Sequence, residues 1–71
     1  MRYEIDAGTR LKKADAPGYT LEVLELFTPA DGLPHARARV RILTHDLGVR
    51  LYSVSALKDA RLFLPAGPQD G

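Results

Sequence analysis

In the segment HARARVRIL, residues 35–43, the chain alternates basic and apolar residues without interruption from His35 to Ile42. The apolar positions share one parity and the basic positions share the other: Ala36, Ala38, Val40 and Ile42 against His35, Arg37, Arg39 and Arg41. A period of two places the apolar set on one side of a β-strand and the basic set on the other. The pattern therefore predicts a half-buried antiparallel strand, and with it a sheet that covers a core on one face only.

Glycine and proline divide the rest of the chain into short segments, most of which also have a strand period. Four further strands are predicted: Thr9–Lys13, Tyr19–Thr28, Val49–Val54 and Ala60–Leu64. A type II turn over Asp15–Gly18, a loop over Thr28–Pro34 and a tight turn over Thr44–Gly48 are predicted to connect them.

The second predicted strand, YTLEVLELFT, has apolar residues on both parities. A flat strand of this kind would have to be buried on both faces, which so small a domain can hardly provide. A bulge or sharp bend near Glu25 would swap the face that points inward and remove the conflict. A dimer interface over Leu24 and Leu26 is the alternative.

After the fourth strand, Ser55–Asp59 is too short for a packed helix and is expected to form one 3₁₀ turn, with Ser55 as its N-cap. Residues 1–65 are predicted to form a single domain, and residues 66–71 a disordered tail.

This order of strands, turns and one helical turn resembles that of the SH3-like barrels, in particular their Tudor-like branch, over Gly8 to Leu64. Leu57 matches the inward leucine of the helical turn in that superfamily, and Gly48 matches its turn glycine. The resemblance implies an all-β fold, a single five-stranded antiparallel SH3-like barrel with one 3₁₀ turn before the last strand. Tudor-like readers of methylated side chains use an aromatic cage, but the corresponding loops here, 14–18 and 43–48, contain no aromatic residue.

Length and composition limit the function classes further. A domain of 71 residues has a thin core, and without cysteine it has no disulfide, no thiolate zinc site and no cysteine nucleophile. The net charge of +1 argues against a strongly cationic non-specific nucleic-acid binder. No apolar run approaches the ~20 residues of a membrane span, and residues 1–6 do not resemble a signal peptide, so a cytoplasmic location is expected. The absence of Asn and the low Lys content are typical of GC-rich bacterial genomes.

The most specific functional signal is the row of Arg37, Arg39 and Arg41 on one strand face, with Arg50 expected beside them on the next strand. Guanidinium groups spaced ~6.6 Å apart would suit phosphates or carboxylates. A solvated face balanced by Glu22 and Glu25 through cross-strand ion pairs explains the same pattern. Tyr19 and Tyr52 are predicted to lie at the barrel rim, where they would either pack or contact a ligand.

Motifs for catalysis are weak. Ser55–Lys58 matches an S-x-x-K string, but the accompanying S-D-N and K-T-G motifs are absent. In an extended segment His35 and His45 would lie roughly 30 Å apart, too far to share a metal. The expectation is therefore no enzyme, no cofactor, no metal and no small-molecule ligand.

These observations predict a small non-enzymatic binding module that docks to a protein partner or forms a homodimer. Its expected binding residues are Arg37, Arg39, Arg41, Arg50, Tyr19 and Tyr52. Nucleic-acid binding through the same arginines is the alternative, and no membrane contact is expected.

Overall fold

The computed structural model describes residues 4–30 and 32–66. Within them the chain forms β1 (Arg10–Lys13), β2 (Ala16–Phe27), β3 (His35–Ile42), β4 (His45–Ser53), α1 (Val54–Leu57) and β5 (Phe63–Pro65). The strands form one antiparallel sheet in the order β4-β3-β2-β1-β5, so β4 and β5 are its two edges. The predicted class, an all-β fold of five antiparallel strands, is confirmed.

The long strand β2 contains the predicted bulge. Its register against β3 shifts between Val23 and Glu25, which leaves Leu24 as the extra residue. Val23 lies opposite Ala38 before the bulge, and Leu26 lies opposite Ala36 after it, so the inward parity changes from odd to even. The bulge lets β2 keep an apolar inner face on both sides of the bend. Leu26 has the inward parity but is still 41% exposed, as is Leu24 at the bulge.

The turn between β1 and β2 is not the predicted type II turn over Asp15–Gly18. The chain turns two residues earlier, over Ala14 and Asp15, and Lys13 pairs with Ala16. Residues 17–19 then leave the pairing with β1, which resumes at Thr20. Pro17 has no N–H for the ladder, while the Gly18 carbonyl accepts the Leu43 N–H at 2.8 Å.

The connection between β3 and β4 also differs from the predicted turn over Thr44–Gly48. Leu43 and Thr44 form the turn, Leu43 has a positive φ of 56°, and β4 begins at His45. Gly48, assigned to the turn by its resemblance to the SH3-like pattern, lies inside β4 with φ 88°. There β4 has one residue more than β3, because Val40 pairs with Gly48 and Arg41 pairs with Asp46. Gly48 therefore serves a β-bulge, a position that favours glycine.

The helical turn before β5 is α-helical rather than 3₁₀, since the Lys58 N–H donates to the Val54 carbonyl at 3.0 Å. The prediction of Ser55 as its N-cap is wrong by two residues. The cap is Ser53, whose Oγ accepts the Ala56 N–H at 3.2 Å. Leu57 is buried, as the resemblance implied. Residues 60–62 form a turn instead of the start of the last strand, which begins at Phe63.

One face of the sheet carries a small core of apolar residues: Ile5, Leu11, Leu21, Val23, Ala36, Ala38, Val40, Leu57 and Phe63. Over this core Tyr52, on the edge strand β4, meets the Phe63 ring of β5 edge to face, at 5.8 Å between centroids. After β5 the Ala66 N–H donates to the Arg10 carbonyl at 2.9 Å. Residues 67–71 of the predicted tail lie outside the described residues.

Candidate binding face

The central strand β3 presents the predicted row of arginines. Ala36, Ala38 and Val40 are fully buried, whereas the alternate residues on β3, Arg37, Arg39 and Arg41, face away from the core. The strand period therefore places three guanidinium groups along one line on the outer surface of the sheet. We call this surface, with the residues that lie opposite the three arginines on β1, β2 and β4, the cationic face.

The first arginine is held by residues of β2. The Arg37 Nε donates to Glu25 Oε2 at 2.6 Å, and its guanidinium carbon lies 5.1 Å from the centre of the Phe27 ring. The predicted ion pairing with Glu25 is thus confirmed. Both side chains of this pair are more than half exposed, so the pair contributes little to stability.

The second arginine does not form the predicted ion pair with Glu22, although the two residues lie opposite each other. Arg39 turns toward β4 instead, and its Nη1 donates to Asp46 Oδ2 at 2.9 Å. The other oxygen of Asp46 accepts the Gly48 N–H at 2.7 Å. This backbone donor, with Arg39 beside it, lowers the pKa of the Asp46 carboxyl.

The edge strand β4 adds an apolar strip to the same surface. Val49 lies opposite Arg39, and Leu51 lies opposite Arg37. These side chains are 48% and 57% exposed. The cationic face therefore presents arginines directly beside two uncovered apolar side chains.

Strand β1 extends the positive charge across the sheet. Arg10 lies opposite Glu22, which lies opposite Arg39, and Lys12 occupies the next row with Thr20 and Arg41. The face thus has five cationic and three anionic residues, namely Arg10, Lys12, Arg37, Arg39 and Arg41 with Glu22, Glu25 and Asp46. The first two cations are absent from the predicted site, although their alternation with Leu11 is a signal that the sequence contains.

A hollow of about 360 Å³ opens on the cationic face above β2. Its lining is cationic on both sides and consists of Arg10, Thr20, Leu21, Glu22, Arg39, Arg41 and Ala66. Among residues 4–30 and 32–66, neither Arg10 nor Arg41 forms an ion pair. The sequence gives no indication of this hollow, because its walls come from strands that lie far apart in the chain.

The structure does not bring Arg50 to this face. Arg50 lies opposite Ala38, so its backbone position belongs to the side of the sheet that carries the core. The prediction that it neighbours the row of arginines is therefore wrong. The reason is the register: Val49 and Leu51 have the parity that meets Arg39 and Arg37.

The two predicted rim tyrosines lie together on the core side. Their hydroxyl groups are 2.9 Å apart, and both rings pack against the core. Partial burial and this hydrogen bond raise the pKa of Tyr52 well above its usual value. The Lys13 Nζ also lies 5.4 Å from the centre of the Tyr19 ring. These contacts are those of packed residues, and they place Tyr19 and Tyr52 away from the cationic face.

The two histidines lie at opposite ends of β3: His35 begins the strand, and His45 pairs with its last residue, Ile42. His35 Nδ1 lies 2.6 Å from the Leu33 carbonyl, which accepts its N–H, and the ring stacks on Phe27 with centroids 6.1 Å apart. His45 is the exposed first residue of β4. Within the described part of the chain, no group of three or more His, Asp or Glu residues is arranged to hold a metal ion.

No protein-family model, curated protein or solved structure matches this chain. None of the helices in residues 4–30 and 32–66 is long and apolar enough to cross a membrane.

Proposed function

We propose that this chain is a small non-enzymatic binding module that docks an acidic segment of a partner protein on its cationic face. The observation that carries the proposal is the composition of that face. Five cations outnumber three carboxylates, and Val49 and Leu51 lie exposed beside the arginines. An acidic segment with apolar side chains complements both properties, since arginine next to apolar area is typical of protein interfaces.

Two properties of the face favour a protein over a nucleic acid. Glu25 and Asp46 pair with Arg37 and Arg39. The cations of the face that have no ion pair within residues 4–30 and 32–66 are Arg10, Lys12 and Arg41, and these do not form the continuous row along β3 that a run of phosphates would need. The apolar side chains of Val49 and Leu51 have no counterpart in a phosphate backbone. Nucleic-acid binding through the same arginines remains the second candidate, and its strong salt dependence makes it separable by experiment.

We also propose that the sheet closes into the SH3-like barrel that the strand pattern resembles. The strand order and the bulges in β2 and β4 support it. So does the contact between Tyr52 and Phe63, because it joins side chains of the two edge strands over the core. Strong bends at bulges are the means by which small sheets curl toward closure.

The test is an amide-resolved NMR titration with a synthetic peptide of alternating Glu and Leu residues, with an alternating Lys and Leu peptide as its control. We expect the acidic peptide to shift the amides of β3 and β4. The double variant Arg37→Glu, Arg41→Glu should lose this response, whereas Arg50→Glu on the other side of the sheet should keep it.

The salt dependence of binding then distinguishes a protein ligand from a nucleic acid. Binding of the peptide should weaken moderately between about 50 and 200 mM salt, because salt screens its charge contacts but not its apolar contacts. Phosphate contacts of a nucleic acid would weaken much more steeply over the same range. The proposal is wrong if single-stranded DNA or RNA oligomers shift β3 in a salt-sensitive way and the acidic peptide does not. A melting temperature that rises with protein concentration, together with protection of Leu24 and Leu26, would indicate self-association instead.

A further inference from the structure

The hollow on the cationic face has arginine side chains on two opposite sides. Its walls are Arg10 on β1 and Arg39 and Arg41 on β3, and its floor is Thr20, Leu21 and Glu22 on β2. We infer that this hollow is a binding site for a phosphate group. Its biological meaning rests on the proposed docking role of the same face, but the binding of the ion can be tested separately.

Spacing makes the hollow suitable for a single oxyanion. Neighbouring strands lie ~4.8 Å apart, so the backbones of β1 and β3 lie ~10 Å apart with β2 between them. Arginine side chains that rise from both sides of this gap can reach an ion above Thr20. The Thr20 hydroxyl on the floor supplies an additional hydrogen-bond donor.

Two of the three guanidinium groups are available for such an ion. Within residues 4–30 and 32–66, neither Arg10 nor Arg41 has a carboxylate within ion-pair distance. Arg39 donates one N–H to Asp46 and keeps four others, since a guanidinium has five. The row that contains Thr20 has Lys12 on one side and Arg41 on the other, so the floor of the hollow lies between cations.

A phosphate fits this lining better than a carboxylate does. Three arginines against Glu22, with Asp46 bound to Arg39, leave a net charge of about +1 at the hollow. Its two arginines without an ion pair, Arg10 and Arg41, stand on opposite sides, where they can share a phosphate monoester, which carries about −1.5 to −2 near neutral pH. Three terminal oxygens can also face three guanidinium groups at once, whereas a carboxylate has two oxygens that one arginine fork can satisfy. The volume of about 360 Å³ leaves space for the group that carries the phosphate.

Glu22 lies in the same hollow and opposes an anion there. Because its carboxylate stands between Arg10 and Arg39 in the register, it sets the affinity below what the arginines alone would give. Two kinds of substitution should therefore change the affinity for phosphate in opposite directions. Removal of an arginine charge weakens binding, and removal of the Glu22 charge strengthens it.

The experiment is an NMR titration of the labelled chain with inorganic phosphate at constant ionic strength, with acetate as the control anion. We expect saturable shifts at the amides of Thr20 and Arg41. Arg10→Gln and Arg41→Gln should each weaken binding about tenfold, and Glu22→Gln should tighten it severalfold. Arg50→Gln removes the same charge from the other side of the sheet and should leave the affinity unchanged.

The inference is overturned if phosphate shifts do not saturate, if acetate reproduces them, or if Arg50→Gln weakens binding as much as Arg41→Gln. A phosphoserine peptide that binds more tightly than inorganic phosphate assigns the hollow to a phosphorylated side chain of the partner. Equal affinities assign it to a small phosphate. If phosphate fails while the Glu-Leu peptide still binds, the hollow is refuted and the docking role stands; the reverse result refutes the docking role alone.

Discussion

Truncation of Leu57 to alanine should remove a large part of the stability of this domain. The side chain is 0% exposed and is the only buried one in α1, where Val54 packs against the core from a partly exposed position. Leu→Ala at a buried site costs about 2–5 kcal/mol, and more where the surroundings cannot collapse into the cavity. Here the helical turn is held by the Ser53 cap and by the bond from the Val54 N–H to the Pro34 carbonyl. We therefore expect a loss of about 3 kcal/mol.

That loss is large for a chain of 71 residues. Domains have roughly 0.05–0.15 kcal/mol of stability per residue, which gives about 3.5–11 kcal/mol here. Each kcal/mol shifts the melting temperature by roughly 4–8 °C in a domain of this size, so Leu57→Ala should melt about 12–24 °C lower.

Urea unfolding followed by far-ultraviolet circular dichroism measures the loss, and Leu62→Ala provides the matched control. Leu62 is 45% exposed, and its truncation should cost less than about 1 kcal/mol. Equal losses for the two variants would refute the reasoning, since Leu57 would then not be a core residue.

Three further outcomes follow from the contacts described. Arg37→Gln should lower the free energy of unfolding by less than about 1 kcal/mol, because its pair with Glu25 is exposed; a larger loss in urea would contradict this. Two hydrogen bonds from the Arg61 side chain and one from its N–H lower the pKa of Asp59 from 3.8 to about 2, so the stability contributed by this pair is full above about pH 4 and is lost as the pH falls through about 2. Arg61→Gln should therefore raise the pKa of Asp59 in a carboxyl-carbon NMR titration, and an unchanged value would show that Arg61 is not the cause. Leu43→Asn should raise the free energy of unfolding by up to about 1 kcal/mol, since asparagine tolerates the positive φ at this exposed position; a decrease in urea stability would show that packing outweighs the backbone strain.

The elements that could be predicted from the sequence are those that a local pattern determines. The alternation over β3 predicts both its buried alanines and its exposed arginines, and the double apolar parity of β2 predicts a bulge beside Glu25. The exact positions of the turns were less predictable, because each connecting segment contains several Gly, Pro or Asp residues at which the chain could turn. The Asp15–Gly18 segment contains good turn residues, yet Gly18 is used to accept a hydrogen bond from Leu43 on another hairpin.

The candidate site was only partly predictable for a related reason. Which parity of β4 meets Arg37 and Arg39 depends on the bulge at Gly48 and on the early turn at Leu43. That register brings Val49 and Leu51 to the face and takes Arg50 away from it. The hollow depends on strand order, since Arg10 and Arg41 meet only because β1 and β3 flank β2.

The bulge at Gly48 has a consequence for how this chain behaves at high concentration. β4 is a long edge strand with exposed apolar side chains, and a regular edge of that kind is a template for pairing with other chains. With its φ of 88° and its N–H bound to Asp46, Gly48 breaks the regular row of edge groups in the middle of the strand. Such an interruption disfavours growth of stacked sheets and fibrils, because each added strand would have to copy an irregular register.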